Sequence, residues 1–266
     1  MRKIAIIGGS GVYDLNGSNF QKIKVNTPYG DVSCLHGAVG DTEVTFITRH
    51  GEGHSVPPHM INYRANICAL KQLGVTEILA TAAVGSLNPN MQAGQFVVCD
   101  QVLDFTKSRI NTFFDGIHYP VGHADFTHPY CPTVREILMQ CLDELGVKYH
   151  KTGTMVVTEG PRFESGAEIK MFRQLGGDVV GMTSMPECIL AREAEMHYSC
   201  VAMVTNMAAG ISTTQLSHRE VLDVMSANGA MMGRLIGKFI KLNCHAEKKC
   251  NCENTMQEFG GFIVKK

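Results

Sequence analysis

Residues 159–164 read Glu159-Gly160-Pro161-Arg162-Phe163-Glu164, and residues 205–210 read Thr205-Asn206-Met207-Ala208-Ala209-Gly210. Each stretch carries a group able to read the edge of a heterocyclic base. The Glu164 carboxylate accepts hydrogen bonds, and the Asn206 amide both donates and accepts. A 6-oxopurine offers N1–H as a donor and O6 and N7 as acceptors. The pair therefore matches hypoxanthine or guanine better than adenine.

A second set of residues suits a free oxyanion. Arg49-His50-Gly51 follows an apolar run, and a guanidinium fork matches phosphate geometry. Gly8-Gly9-Ser10-Gly11 follows another such run. It is a tight turn, and its backbone N–H groups and Ser10 hydroxyl could hold a single phosphate. It is not a complete dinucleotide fingerprint, because Asp14 stands where the third glycine belongs. Ala82-Ala83-Val84-Gly85 and Met182-Thr183-Ser184 also lie at predicted strand ends; small residues there allow a ligand close to the backbone. His50, His54 and His59 with Glu52 do not have the H-E-x-x-H spacing of a helical zinc site. There is no G-x-S-x-G motif and no evident Ser-His-Asp or Cys-His arrangement, so covalent catalysis is not expected.

These residues need strand ends to hold them. Residues 3–7, 44–48, 78–83, 96–103, 153–158, 179–181 and 199–205 read as buried strands. Residues 62–73, 133–145, 186–197 and 219–242 read as amphipathic helices, and the alternation predicts an α/β fold. Ser217-His218-Arg219-Glu220 fits a capping box, with His218 at the first helical position. The helix dipole there favours a neutral imidazole. Residues 107–132 are the least regular and contain His118, His123 and His128; they read as a functional or oligomer-contact loop.

The chain has 266 residues, 44% hydrophobic and 18% charged, enough to bury the core of one large domain. Its net charge of −1 gives no electrostatic case for a nucleic-acid partner. No apolar run reaches the roughly 18 to 20 residues of a membrane span, and the apolar run at the start is too short for a signal peptide. A cytoplasmic protein is expected. Cys34, Cys68, Cys99, Cys141, Cys188 and Cys200 read as small core residues. Cys244, Cys250 and Cys252 sit beside His245 in a polar tail. A metal clip or a Cys250–Cys252 redox pair is one reading of that tail, and an exposed reduced segment is the expected one.

Taken together, the segments IAIIGGSGVYD, TRHGEGH, NYRANICALKQLGV, ILATAAVGSLNP, GTMVVTEGPRFES and VVGMTSMPECILAREA resemble the trimeric purine nucleoside phosphorylase and methylthioadenosine phosphorylase family over residues 2–240. The resemblance implies a single α/β domain over residues 1–243, built on a mixed, distorted β-barrel-like sheet surrounded by helices, with residues 244–266 as a peripheral tail. It implies a homotrimer in which phosphate attacks C1′ of a purine nucleoside, with no metal or organic cofactor. Carried over by motif, Ser10, Arg49, His50, the Ala83 backbone and Thr183 hold phosphate. Met182 lies against the ribose and Phe163 against the base. Glu164 and Asn206 read a 6-oxopurine, with Ala208 in the same pocket, and His218 reads a 5′-hydroxyl. Asn206, Glu164 and His50 are the expected catalytic groups. His123 resembles a histidine lent by a neighbouring subunit to the 5′ side of the sugar.

The phosphate-side segments resemble the methylthioadenosine branch and the base pocket resembles the 6-oxopurine branch. A 6-oxopurine nucleoside phosphorylase is the leading expectation, and a methylthioinosine or methylthioadenosine phosphorylase the alternative. A purine-binding module without catalysis is a third reading; the phosphate cradle argues against it.

Overall fold

A computed structural model of the chain describes residues 2–9, 20–211, 217–243 and 248–264. Ser10, Cys244 and His245 lie outside the described residues, as does the side chain of His218.

A mixed sheet of eleven strands forms the centre. β1 (Arg2–Gly8), β4 (Thr42–Thr48), β5 (Glu77–Ser86) and β11 (His197–Met207) run parallel to one another. All are buried along most of their length, covered on both faces. The first half of β5 pairs with β1, and its last two residues pair antiparallel with β10 (Val179–Gly181). β10 continues to β9 (Thr154–Thr158) and β7 (Gln101–Phe105). On its other side β5 pairs along its length with β11, which leads to β6 (Phe96–Val98) and β8 (Tyr149–His150). The sheet thus forks at β5, and the strand ends around the fork open onto one face. This is the mixed, distorted sheet that the resemblance implied.

Helices α1 (Tyr63–Gln72), α2 (Pro132–Glu144), α3 (Gly166–Gln174), α4 (Ser184–Glu193) and α5 (His218–Asn243) pack around the sheet. Their starts follow from sequence. The Asn62 side chain caps α1 through Ala65 N–H, and Ser165 with Glu168 forms a full capping box on α3. Ser217 Oγ accepts from Glu220 N–H at the start of α5.

Several expectations change, and helix α3 was not among the helices read from the sequence. Residues 96–103 are two strands, with Cys99 and Asp100 at the break. The hairpin β2 (Gln21–Thr27) and β3 (Gly30–Val39) was missed, because β2 is mostly exposed and too polar to give an apolar run. The C-terminal segment is not peripheral. Cys252, Met256 and Phe262 are buried, Met256 and Phe262 in the main core beside Phe113 and Tyr119. Too few apolar residues lie there to show a period, so only tertiary contact reveals the burial.

Candidate active site

A cleft of about 1050 Å³ opens beyond the ends of β1, β4, β5, β9, β10 and β11. It is lined by Gly9, Arg49, His50, Ala83, Phe163, Glu164, Met182, Thr183, Asn206 and Ala208, together with one face of α5. Every described residue expected at the site is here except His123. That histidine is exposed in the 107–132 loop, its ring 6.3 Å from Phe259.

Arg49 follows β4, and its side chain is almost wholly buried. Its Nε and Nη2 donate to the two Glu187 oxygens, each at 2.8 Å. Nη1 donates to the Thr81 carbonyl at 3.1 Å. Tyr198 Oη donates to Glu187 Oε1 at 2.9 Å. Burial lowers the Arg49 pKa, but the Glu187 carboxylate raises it more, and the guanidinium is held above its ordinary range. The bidentate pair fixes the charge at the cleft wall, and Nη1 has a further N–H for a ligand. Glu187 and Tyr198 were missed from sequence. No local signal marks Glu187, because its helical stretch also carries Arg192, Glu193 and Glu195.

His50 has the opposite electrostatics. Its Nδ1–H donates to the Val56 carbonyl at 2.9 Å, which leaves Nε2 as an acceptor in the neutral ring. Burial, with the neighbouring Arg49 charge, pushes its pKa down to about 4. At neutral pH it can therefore accept a hydrogen bond from a ligand hydroxyl rather than adding positive charge. Between its ordinary value of 6.5 and about 4, the unfolded chain binds a proton here that the folded chain refuses. Stability from this group is thus lost as pH falls through that window. Thermal melts across it should show a shallower loss of Tm in His50→Gln than in the parent; equal slopes would contradict the assignment.

A β-bulge places Asn206 at the cleft. The β5–β11 register slips between Val204 and Asn206, so Thr205 is an extra residue. Asn206 is buried, with Nδ2 donating to the Met207 carbonyl at 3.0 Å and Oδ1 accepting from Thr205 Oγ1 at 2.8 Å. The opposite amide orientation would set two oxygens together, so these contacts fix which end is which. One N–H and one lone pair are left for a ligand. Gly85 lies opposite: a Cβ there would stand 3.2 Å from Asn206 Nδ2. Glu164 Oε1 accepts from Thr158 Oγ1 at 2.6 Å, leaving Oε2 to a donor brought by the ligand.

The loops carrying Glu164 and Met182 are tied by Arg109, which was also missed. Its Nη1 donates to the Met182 carbonyl at 2.7 Å and Nη2 to the Glu159 carbonyl at 2.7 Å. Gly160, at φ 62°, lets these loops approach; a Cβ there would stand 2.6 Å from Met182 Sδ. Thr183 caps α4 by position, yet its side chain makes no capping bond.

Strand β5 gives the site a scale. Arg49 meets it at Thr81 and Asn206 meets it at Gly85. Four residues at about 3.3 Å each span roughly 13 Å. That length suits a phosphate, a pentose and a purine laid end to end.

The chain belongs to the phosphorylase superfamily, whose family model matches residues 3–241. It is 53% identical to the 6-oxopurine nucleoside phosphorylase of Pyrococcus furiosus, over 97% of this chain and 98% of that one. It is 42% identical to a probable S-methyl-5′-thioinosine phosphorylase of Thermodesulfovibrio yellowstonii, over 96% of each. Among solved structures, a methylthioadenosine phosphorylase from an antarctic soil metagenomic library superposes with a TM-score of 0.91 at 35% identity, covering 97% of this chain and 92% of that one. No helix among the described residues is long and apolar enough to cross a membrane.

Proposed function

We propose that this chain cleaves 6-oxopurine nucleosides, inosine and guanosine, with inorganic phosphate, giving free base and ribose 1-phosphate in purine salvage. The observation that carries this reading is the joint presence of Glu164 and Asn206 with Arg49, His50 and Thr183 along one cleft. A base binder alone would not need the second group. The 53% identity to a 6-oxopurine nucleoside phosphorylase supports it.

As the C1′–N9 bond breaks, its electron pair passes to the purine and positive charge develops on the ribose. Phosphate held by Arg49, His50, the Ala83 backbone, Thr183 and Ser10 stabilises that charge and then bonds to C1′. Asn206 donates to N7 or O6 as negative charge grows on the base, acting mainly in the transition state. Glu164 accepts from N1–H. Met182 lies under the sugar, and Phe163 covers the base. The chemistry requires no metal or organic cofactor.

We assign the protein to the cytoplasm as a homotrimer, with His123 reaching a neighbouring subunit's sugar site. Exposed Ile110, Ile117 and Val121 lie in the same loop, an apolar surface fit for subunit contact. The second reading, a methylthioinosine phosphorylase, is favoured by the apolar α5 lining of Val221, Leu222 and Met225. His218, which opens α5, is assigned to the 5′-hydroxyl and favours the first.

A cleavage panel decides between them. Inosine and guanosine should react only with phosphate present and yield ribose 1-phosphate, faster than methylthioinosine. Equal rates without phosphate, releasing free ribose, would show a hydrolase. Faster cleavage of methylthioinosine would make the second reading correct.

A further inference from the structure

Four side chains far from the cleft converge from three parts of the chain. Cys131 immediately precedes α2, His197 is the first residue of β11, and Cys250 and Cys252 lie beyond α5. Their Sγ and ring-nitrogen atoms all lie within 4.8 Å of one another. Cys131 Sγ is 3.5 Å from His197 Nδ1 and 3.3 Å from Cys250 Sγ, and Cys250 Sγ is 3.2 Å from the same Nδ1. Cys131, His197 and Cys252 are buried, and Cys250 is partly so.

We propose that Cys131, His197, Cys250 and Cys252 form a structural zinc site that fastens the C-terminal segment to the sheet. A tetrahedral zinc with bonds of about 2.3 Å to sulfur and about 2.0 to 2.1 Å to nitrogen holds its ligand atoms roughly 3.5 to 3.8 Å apart. The separations among Cys131 Sγ, His197 Nδ1 and Cys250 Sγ are within about half an ångström of that, and Cys252 Sγ lies within 4.8 Å of all three. Three thiolates and one imidazole are a closed ligand set with no open position, as structural zinc sites have.

The surroundings fit the same chemistry. His197 Nε2 lies 2.9 Å from Glu253 Oε1, the carboxylate–histidine arrangement that presents the other ring nitrogen to a metal. Arg192 Nη1 donates to Cys252 Sγ at 3.1 Å. Zinc with three thiolates carries one net negative charge, which the Arg192 guanidinium offsets. None of the four ligands lines the cleft. The site therefore bears on the attachment of residues 250–264, which pack through Met256 and Phe262.

The shared chemistry of close thiols also allows a Cys131–Cys250 disulfide, which would leave His197 and Cys252 with no metal to bind. The two outcomes are separable on the full-length protein. Purified under reducing conditions and dialysed, it should contain one zinc per chain by elemental analysis. Cobalt exchanged into the site should give the ligand-field and thiolate charge-transfer bands of a tetrahedral complex. Chelation should lower Tm, and zinc but not magnesium should restore it. Cys252→Ser should lose the cobalt bands; should that variant fail to fold, the chelation and cobalt measurements on the parent still decide. Absence of zinc with a Cys131–Cys250 linkage in the non-reduced peptide map would overturn the proposal. So would undiminished stoichiometric zinc in the Cys131→Ser/Cys250→Ser double variant.

Discussion

Asn206→Ala should lower kcat/KM for inosine by roughly a hundredfold, about 3 kcal/mol, the usual consequence of removing one donor aimed at developing charge. The loss should fall mainly on kcat, because the leaving base demands the N–H most in the transition state. The KM for phosphate should change little, since Arg49 and His50 meet the cleft elsewhere. In the parent protein, inosine should exceed adenosine by at least roughly tenfold to a hundredfold. Adenine leaves Glu164 facing a bare N1 lone pair and Asn206 facing an amino group, and each unmet buried group costs about 1 to 3 kcal/mol. The Asn206 amide cannot rotate without setting its oxygen against the Met207 carbonyl, which now accepts from Nδ2 at 3.0 Å. Asn206→Asp should narrow the gap. Steady-state kinetics at saturating phosphate measures the effects on the nucleosides, and a phosphate titration at saturating inosine measures the KM for phosphate; a parent protein that prefers adenosine would refute the assignment of the base.

The second large effect concerns stability. Glu187→Gln should destabilise the fold by about 3 to 5 kcal/mol, because it leaves the buried Arg49 guanidinium without its counter-charge. At about 2 to 4 °C per kcal/mol for a domain near this size, Tm should fall by roughly 10 °C. The cause is tested by a double substitution. Arg49→Met with Glu187→Leu removes both charges and should recover most of the loss while abolishing phosphate-dependent turnover. If the double variant is less stable than Glu187→Gln, the cost lies in packing around Tyr198 and not in the stranded charge.

Much of the cleft could be read in the sequence because its groups sit where an apolar run meets glycine or another small residue. Arg49 and His50 follow β4, and Thr183 follows β10. Asn206 lies near the end of β11. In each case a strand signal stops at a polar residue that a strand end would expose. The supporting residues were not legible in this way. Arg109 lies in a loop with no period, and its role comes from carbonyls brought by two other loops. Glu187 is wholly buried, and no local pattern announces a carboxylate whose partner is 138 residues away.

The sequence by itself determined most of the strand and helix alternation, the cap residue that starts α5, and the identity of the groups that can meet phosphate and base. These depend on side-chain chemistry and on periods of a few residues, which the chain carries locally. Tertiary structure decided the rest. The fork at β5 sets the spacing between Thr81 and Gly85 contacts, and the Thr205 bulge turns the Asn206 amide. The C-terminal segment becomes core rather than tail, and Cys131 and His197 meet Cys250 and Cys252. Each of these is a contact between residues distant in the chain, and nothing in a local window of sequence encodes which distant partner a buried polar group will find.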